Sequence, residues 1–342
     1  MHILLRADSS SAIGVGHAMR CMTLADEMVS LGHDCTFVCR AIQGSLAEHM
    51  SLDLGLDVVV LPENTGLDED SATCSRLAAQ RGSDWVVVDH YGLDARWETE
   101  MRSEGGRVLV IDDLADRPHE CHVLLDQNLQ VQTGRYDGLV PSGAELLLGP
   151  TFALLRSQFR SSLRRLRAGP VRRVLVSFGG SDPRGLTTRA LDWLAVLDIE
   201  AEVVAGPANV QSDVIAARCE RQGWGFHGAV DDMATMMAGV DLAIGAPGST
   251  TWERCFLGLP SIVVAVADNQ EPIGQAADEA GIALYLGREE SVADSSAATA
   301  CLDLTEEGAR RHEMSQACLD LVDGKGRQRV ARAMLESSAG SS

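Results

Sequence analysis

The residues best placed to do chemistry stand in three short segments, each following an apolar run. The first is Arg6-Ala7-Asp8-Ser9-Ser10-Ser11-Ala12-Ile13-Gly14-Val15-Gly16-His17, continuing to Arg20. An apolar run ends near Asp8, and a polar, glycine-containing loop leads into a helical pattern from about His17. Gly14 and Gly16 let the backbone pass close to a ligand, and a helix start favours anionic groups. A histidine in that place can take a proton from water. Two plainer roles compete with this one. His17 can simply cap its own helix, or Gly14-Val15-Gly16 can open a dinucleotide fingerprint, although Met19 stands where the third glycine belongs.

The second segment is Val88-Asp89-His90-Tyr91-Gly92, and Ile111-Asp112-Asp113 repeats its arrangement. Polar residues at the end of a buried strand often face a ligand crevice. The plainer reading makes Asp89 and one acid of the Asp112-Asp113 pair turn caps, and His90 an ordinary surface histidine. The third segment is Gly245-Ala246-Pro247-Gly248-Ser249-Thr250-Thr251-Trp252-Glu253-Arg254. Ser249 and Thr250 open a helix whose free N–H groups suit a diphosphate, and Glu253, one turn along, suits the two hydroxyls of a ribose. A capping box with Thr250 as N-cap and Glu253 at N3 explains the same spacing. Gly179-Gly180-Ser181 and Asp268-Asn269-Gln270 end strands in this half too, so these loops together form a candidate phosphate- and sugar-binding edge. There is no Walker lysine pattern, which argues against an ATPase.

The elements that must position these segments follow from periodicity. Continuous apolar runs, the mark of strands buried on both faces, occur at Ile3 to Arg6, Thr36 to Cys39, Val58 to Leu61, Trp85 to Val88, Val108 to Ile111, Val123 to Leu125 and Leu146 to Leu148. His17 to Leu31 reads as a helix ending at Gly32. The series restarts with Val174 to Phe178, Ala201 to Ala205, Leu242 to Ile244 and Ile262 to Val266. Alternating strands and helices build parallel sheets. The predicted fold class is α/β, with two Rossmann-like doubly wound domains facing across a cleft. The first domain spans residues 1–155, and 174–336 forms the second with a helical tail. Between them, residues 156–173 carry seven arginines and no acidic residue, and read as a solvated basic linker. The tail from Asp303 looks helical, with residues 337–342 disordered.

Composition bounds the function. With 342 residues, two domains are expected. Only 4% of them are aromatic, so Val, Leu, Ala and Ile must fill the cores. A formal net charge of −20 argues against wrapping nucleic acid or sitting on an anionic membrane. Nine cysteines without a CxxC pair or a secretory N-terminus read as reduced thiols in a cytoplasmic protein. His33, Cys35 and Cys39 make a poor metal set, because Cys35 and Cys39 lie in a strand-like run. No apolar stretch is long enough for membrane insertion.

Taken in order, these segments resemble a known family. Arg6 to Ser11 through Gly16-His17 and Arg20, then Asp89-His90-Tyr91-Gly92, Ser177-Phe178-Gly179-Gly180-Ser181-Asp182, Gly248-Ser249-Thr250 with Glu253, and Asn269-Gln270 look like the UDP-sugar hydrolase of pseudaminic acid biosynthesis. The match runs from about residue 1 to 285. It implies a fold similar to inverting GT-B glycosyltransferases and hydrolysis of UDP-2,4-diacetamido-2,4,6-trideoxy-β-L-altropyranose to UDP and free sugar. By that resemblance His17 is the general base, and Tyr91 lines the sugar pocket. Gly248, Ser249 and Thr250 hold the diphosphate, Glu253 the ribose, and Asn269 a phosphate or sugar group, while Arg156 lies near the domain junction. Asp8, Ser10, Gly14, Gly16, Arg20, Gly179, Gly180, Ser181 and Gln270 complete the expected substrate contacts. No metal or cofactor is expected, because UDP is already a good leaving group.

Pro247 departs from the glycine expected before Gly248, and the region after about residue 287 has no counterpart. That region either packs back on the first domain or serves an oligomer contact. The oligomeric state is open, a monomer being compatible with the sequence. Rival readings are a GT-B transferase using a UDP-sugar donor, a non-catalytic sugar-nucleotide-binding protein, and a relative acting on a legionaminic-type sugar.

Overall fold

Runs of Val, Leu and Ile too uniform to leave one face in water become the central strands of two sheets. The computed structural model describes residues 1–10, 13–53, 55–103, 106–129, 133–206 and 208–339. The chain divides into two compact units, one made of Met1–Arg156 with Lys325–Ser342, the other of Ser157–Gly324.

In the first unit the order is β1 (His2–Ala7), α1 (Gly16–Ser30), β2 (Asp34–Arg40), β3 (Asp57–Leu61), α2 (Leu67–Arg81), β4 (Trp85–Asp89), α3 (Ala95–Ser103), β5 (Arg107–Ile111), β6 (Val123–Asp126) and β7 (Glu145–Leu148). The seven strands pair in the order β3-β2-β1-β4-β5-β6-β7, all parallel. The strand order reverses between β1 and β4, where Ala7 pairs with Asp89. In a doubly wound sheet that reversal opens a crevice at the carboxyl ends of the strands.

The second unit follows as β8 (Arg173–Ser177), α4 (Leu186–Leu194), β9 (Glu200–Val204), α5 (Ser212–Gln222), β10 (Gly225–His227), α6 (Met233–Ala238), β11 (Leu242–Gly245), α7 (Ser249–Phe256), β12 (Ser261–Ala265), α8 (Glu271–Glu279), β13 (Leu284–Arg288), α9 (Asp294–Glu306) and α10 (Gly308–Leu321). Its six parallel strands run β10-β9-β8-β11-β12-β13, and the order reverses between β8 and β11, with Ser177 paired to Gly245. The two doubly wound α/β domains predicted from periodicity are therefore present. Two strands escaped that reading. The edge strand β10 is only Gly-Phe-His, and β13 ends in Gly-Arg, so neither presents an uninterrupted apolar run.

The last helix, α11 (Gly326–Ala339), belongs to the first unit, not to the second as expected for residues up to 336. Its Val330, Ala331, Ala333 and Met334 join the core beneath α1. Arg327, 2% exposed, pairs with Asp26 at 2.7 Å and Glu27 at 2.8 Å, and Trp85 Nε1 donates to Ser338 Oγ at 3.0 Å. Helix therefore extends through residues 337–339, where disorder was expected, and 340–342 lie outside the described residues.

The supposed solvated linker also differs from expectation, because residues 157–173 belong to the second unit. Arg167 is 5% exposed and donates to the carbonyls of Met237, Val240 and Leu257. Arg164 donates to those of Phe256, Leu319 and Val322. These arginines cap the C-terminal ends of helices, where carbonyls lack partners and the helix dipole is negative. Among the described residues no helix is long and apolar enough to cross a membrane, and no group of three or more His, Cys, Asp or Glu could hold a metal. All nine cysteines are unpaired thiols, eight of them buried.

Candidate functional site

Helix α1 begins at Gly16 because the preceding loop closes on itself. Ser10 and Gly14 exchange backbone hydrogen bonds, Gly14 adopts φ +79°, and Ser10 Oγ accepts from Ile13 N–H. Ser11 lies outside the described residues. This loop delivers His17 to the reversal point of the first sheet, beside the last residue of β4. His17 Nδ1 lies 2.5 Å from Asp89 Oδ1, and the histidine is 7% exposed. Arg20, one turn along α1, grips the same carboxylate from Nε at 2.7 Å and Nη2 at 2.8 Å. Its Nη1 reaches Asp113 Oδ2 at 2.8 Å, and Asp113 Oδ1 accepts from Tyr91 OH at 2.8 Å. The Tyr91 ring stands edge-on to His17 with centroids 4.5 Å apart.

The charges decide the tautomer. Burial alone would raise Asp89, but the adjacent Arg20 charge and then His17 outweigh it, and the carboxyl is held below its ordinary value. Nδ1 stands 3.0 Å from Arg20 Nη2 but closer, at 2.5 Å, to the ionised Asp89, and donating its proton to that carboxylate leaves the lone pair of His17 on Nε2. That nitrogen has no partner among the described residues and is the atom able to take a proton.

Arg20 and Asp8, both expected to touch substrate, are held by partners within the first unit. Arg20 is engaged by two carboxylates within the unit. Asp8, 1% exposed, accepts from Arg6 Nη1 at 2.6 Å, Arg40 Nε at 2.6 Å and Arg40 N–H at 2.8 Å, and His90 Nε2 lies 3.2 Å away. Arg6 continues inward to Asp70 at 2.7 Å. Burial would raise Asp8, but His90 and then Arg6 hold it far below the carboxylate range. These contacts occupy Asp8 in fixing Arg40 and His90. The capping role weighed for Asp89 is not what it does, whereas Asp112 does cap its turn, accepting from Leu114 and Ala115 N–H. Asp89 and Asp113 went unassigned in sequence because their partners come from a helix roughly 70 to 90 residues earlier.

In the second unit, the loops after β8 and β11 stand at the reversal point of the sheet. Gly179 takes φ +90° and Gly180 passes so close to Gly206 that a Cβ there would lie 2.5 Å from Gly180 Cα. Gly179 and Gly180 are exposed, and Ser181 is half-buried. Asp182 turns back and accepts from Leu186 and Thr187 N–H, so the start of α4 is already capped.

Helix α7 starts differently. Its N-cap is Gly248, which offers no side-chain acceptor, so the expected Thr250–Glu253 capping box is replaced. Thr251 Oγ1 instead accepts from Gly248 N–H at 3.2 Å. Ser249 is half-buried, Thr250 is exposed at the tip, and Glu253 is buried one turn along. Gln270 Oε1 accepts from Val266 N–H and shapes the loop after β12, where Asn269 is half-buried. Arg156 ends the first segment of the first unit.

Comparison with known proteins gives no matching family model. The chain is 30% identical over 188 residues to the UDP-2,4-diacetamido-2,4,6-trideoxy-beta-L-altropyranose hydrolase of Campylobacter jejuni, a match covering 55% of this chain and 63% of that protein. It is 24% identical to the spore coat polysaccharide biosynthesis protein SpsG of Bacillus subtilis, with 96% of each chain covered. Among solved structures, MurG of Acinetobacter baumannii superposes with a TM-score of 0.71 at 14% identity, over 98% of this chain and 99% of that one. The fold is thus that of the GT-B glycosyltransferases, carried by a chain moderately homologous to a UDP-sugar hydrolase.

Proposed function

We propose that the protein hydrolyses UDP-2,4-diacetamido-2,4,6-trideoxy-β-L-altropyranose at the anomeric C–O bond, releasing UDP and the free sugar. The observation that carries this reading is the His17–Asp89 pair at the reversal point of the first sheet, with Nε2 left as a base. In the proposed step Nε2 takes a proton from water as the water oxygen bonds to the anomeric carbon. The bond to the UDP oxygen breaks with its electron pair, and UDP departs as an anion. One direct displacement inverts the anomeric centre. Asp89 stabilises the imidazolium that forms, and Arg20 with Asp113 keeps Asp89 and Tyr91 in place.

The second unit supplies the nucleotide side of this reading. Gly248, Ser249 and Thr250 hold the diphosphate at the uncapped start of α7, Glu253 takes the ribose, and Asn269 a phosphate or sugar oxygen. The Campylobacter relative supports the substrate, and the unpaired thiols suit a reducing cytoplasm. The test is UDP release from the diacetamido altrose nucleotide with no acceptor or metal added, NMR following the anomeric proton. Release of the inverted sugar is expected. Tight binding without release would make the protein a transferase or a binding protein.

A further inference from the structure

Among the described residues the buried arginines are compensated, with one exception. Arg6 pairs with Asp8 and Asp70, Arg20 with Asp89 and Asp113, and Arg327 with Asp26 and Glu27. Arg167 and Arg311 are satisfied by three or more carbonyls each, several at helix C-terminal ends. Arg254 is 4% exposed and forms no ion pair among the described residues. Its Nη2 donates to Ala246 O and Thr251 Oγ1, both at 3.1 Å, and its Nε has no partner. The guanidinium therefore lies under the loop that opens α7, at the positive end of that helix. A lone cation there is opposed both by burial and by the helix dipole. Burial accordingly pulls its pKa below the usual arginine value.

The surroundings are built to keep it there. A Cβ on Gly245 would lie 2.4 Å from Ser177 O and 3.2 Å from Arg254 Nη1, so only glycine leaves room at the end of β11. Gly248 N–H and Arg254 Nη2 converge on one acceptor, Thr251 Oγ1, which fixes the turn between them. Helix α4 has its first N–H groups already taken by Asp182, whereas the N-cap of α7 supplies no side-chain acceptor.

We infer that Arg254 is the charge source of an anion site at the Ala246–Thr250 loop, and that the ligand compensating it is a phosphate or diphosphate group. The inference deepens the nucleotide reading above, on which the identification of UDP as the natural source rests. Arg254 acts as a positioning residue: its charge works through the loop, and its ligand-free state carries an uncompensated buried cation.

The test compares wild type, Arg254→Met and Arg254→Lys in the full chain, by calorimetry and thermal melting, with inorganic pyrophosphate, UDP and uridine as probes. For Arg254→Met the expected result is a ligand-free melting temperature equal to or above wild type, because an unpaired buried charge has gone. Affinity for pyrophosphate and UDP falls about tenfold or more, as loss of one unit charge several ångströms away implies, while that for uridine stays within about twofold. Arg254→Lys keeps most of the pyrophosphate affinity. An Arg254→Met protein that fails to fold, or that loses all three probes equally, makes Arg254 a brace of the loop and overturns the inference. So does unchanged pyrophosphate and UDP binding in that variant, or a loss in Arg254→Lys as complete as in Arg254→Met. Wild type binding pyrophosphate as tightly as UDP keeps the inference but removes the nucleotide reading. Wild type binding neither removes both.

Discussion

His17 and Asp89, 2.5 Å apart between Nδ1 and Oδ1, are brought together by two facts of topology. Strand β4 crosses to pair with β1, placing Asp89 beside Ala7, and α1 starts right after the short loop that leaves β1. The pair is thus a product of strand order, and its first consequence concerns Asp89→Asn. The amide cannot serve as the same acceptor and stabilise an imidazolium, so turnover should fall by about 10²–10⁴ with KM little changed. Steady-state UDP release gives both constants. A rise in KM at constant kcat would show that Asp89 serves binding instead.

Arg20 joins Asp89 to Asp113 and, through it, to Tyr91. Arg20→Met leaves two carboxylates poorly compensated in a buried site. Stability should drop by about 3–5 kcal/mol, the usual result of removing one member of a buried ion pair. Urea unfolding checks this, and a change under about 1 kcal/mol would mean that water already screens the cluster.

His17→Ala should abolish turnover yet leave UDP affinity within about twofold, since the groups proposed for UDP belong to the other unit and no binding term is removed. Calorimetric titration with UDP distinguishes this from a fold defect, in which affinity and melting temperature fall together.

A second buried cluster gives the protein a predictable pH dependence. His119, 3% exposed, has Glu98 Oε1 at 2.8 Å from Nδ1 and Asp112 Oδ1 at 3.7 Å from Nε2. Burial would lower this histidine, but the carboxylates of Asp112 and then Glu98 outweigh it and carry it up to about 9. Glu98 itself is pushed up, burial exceeding the pull of His119. The folded chain therefore keeps a proton that the unfolded chain releases near about 6.5. Stability from this cluster is complete below that pH and is lost as pH rises through about 9, with a slope of at most about 1.4 kcal/mol per pH unit. Urea midpoints between those limits should fall in wild type and flatten in His119→Gln. The same slope in both proteins would contradict the assignment.

The parallel strands were legible because burial on both faces demands continuous apolar runs, and most of them occur where those runs do. The short or glycine-containing edge strands β10 and β13 gave no such signal. The neighbourhood of the site was legible for the same reason: Asp89 and Gly245 end strands, and His17 and Ser249 open the helices that follow strands. What sequence could not supply were partners fixed by topology. Asp89 could be read as a crevice residue or as a turn cap, and nothing local in the sequence pairs it with His17 and Arg20, or Asp8 with Arg40. The run of arginines from 156 to 173 looked solvated because helix C-terminal carbonyls, which several of them satisfy, are invisible in composition. The return of α11 to α1 depends on pairing Arg327 with Asp26 and Glu27, about 300 positions away, and no local pattern announces it.

The central claim is attack of water on the anomeric carbon, and the place of a heavy oxygen tests it most directly. When the diacetamido altrose nucleotide is turned over in ¹⁸O-water, mass spectrometry should find the label in the free sugar and none in UDP. Label in the phosphate of UDP would mean attack at phosphorus, and no release at all would mean that His17 activates no water; either contradicts the account.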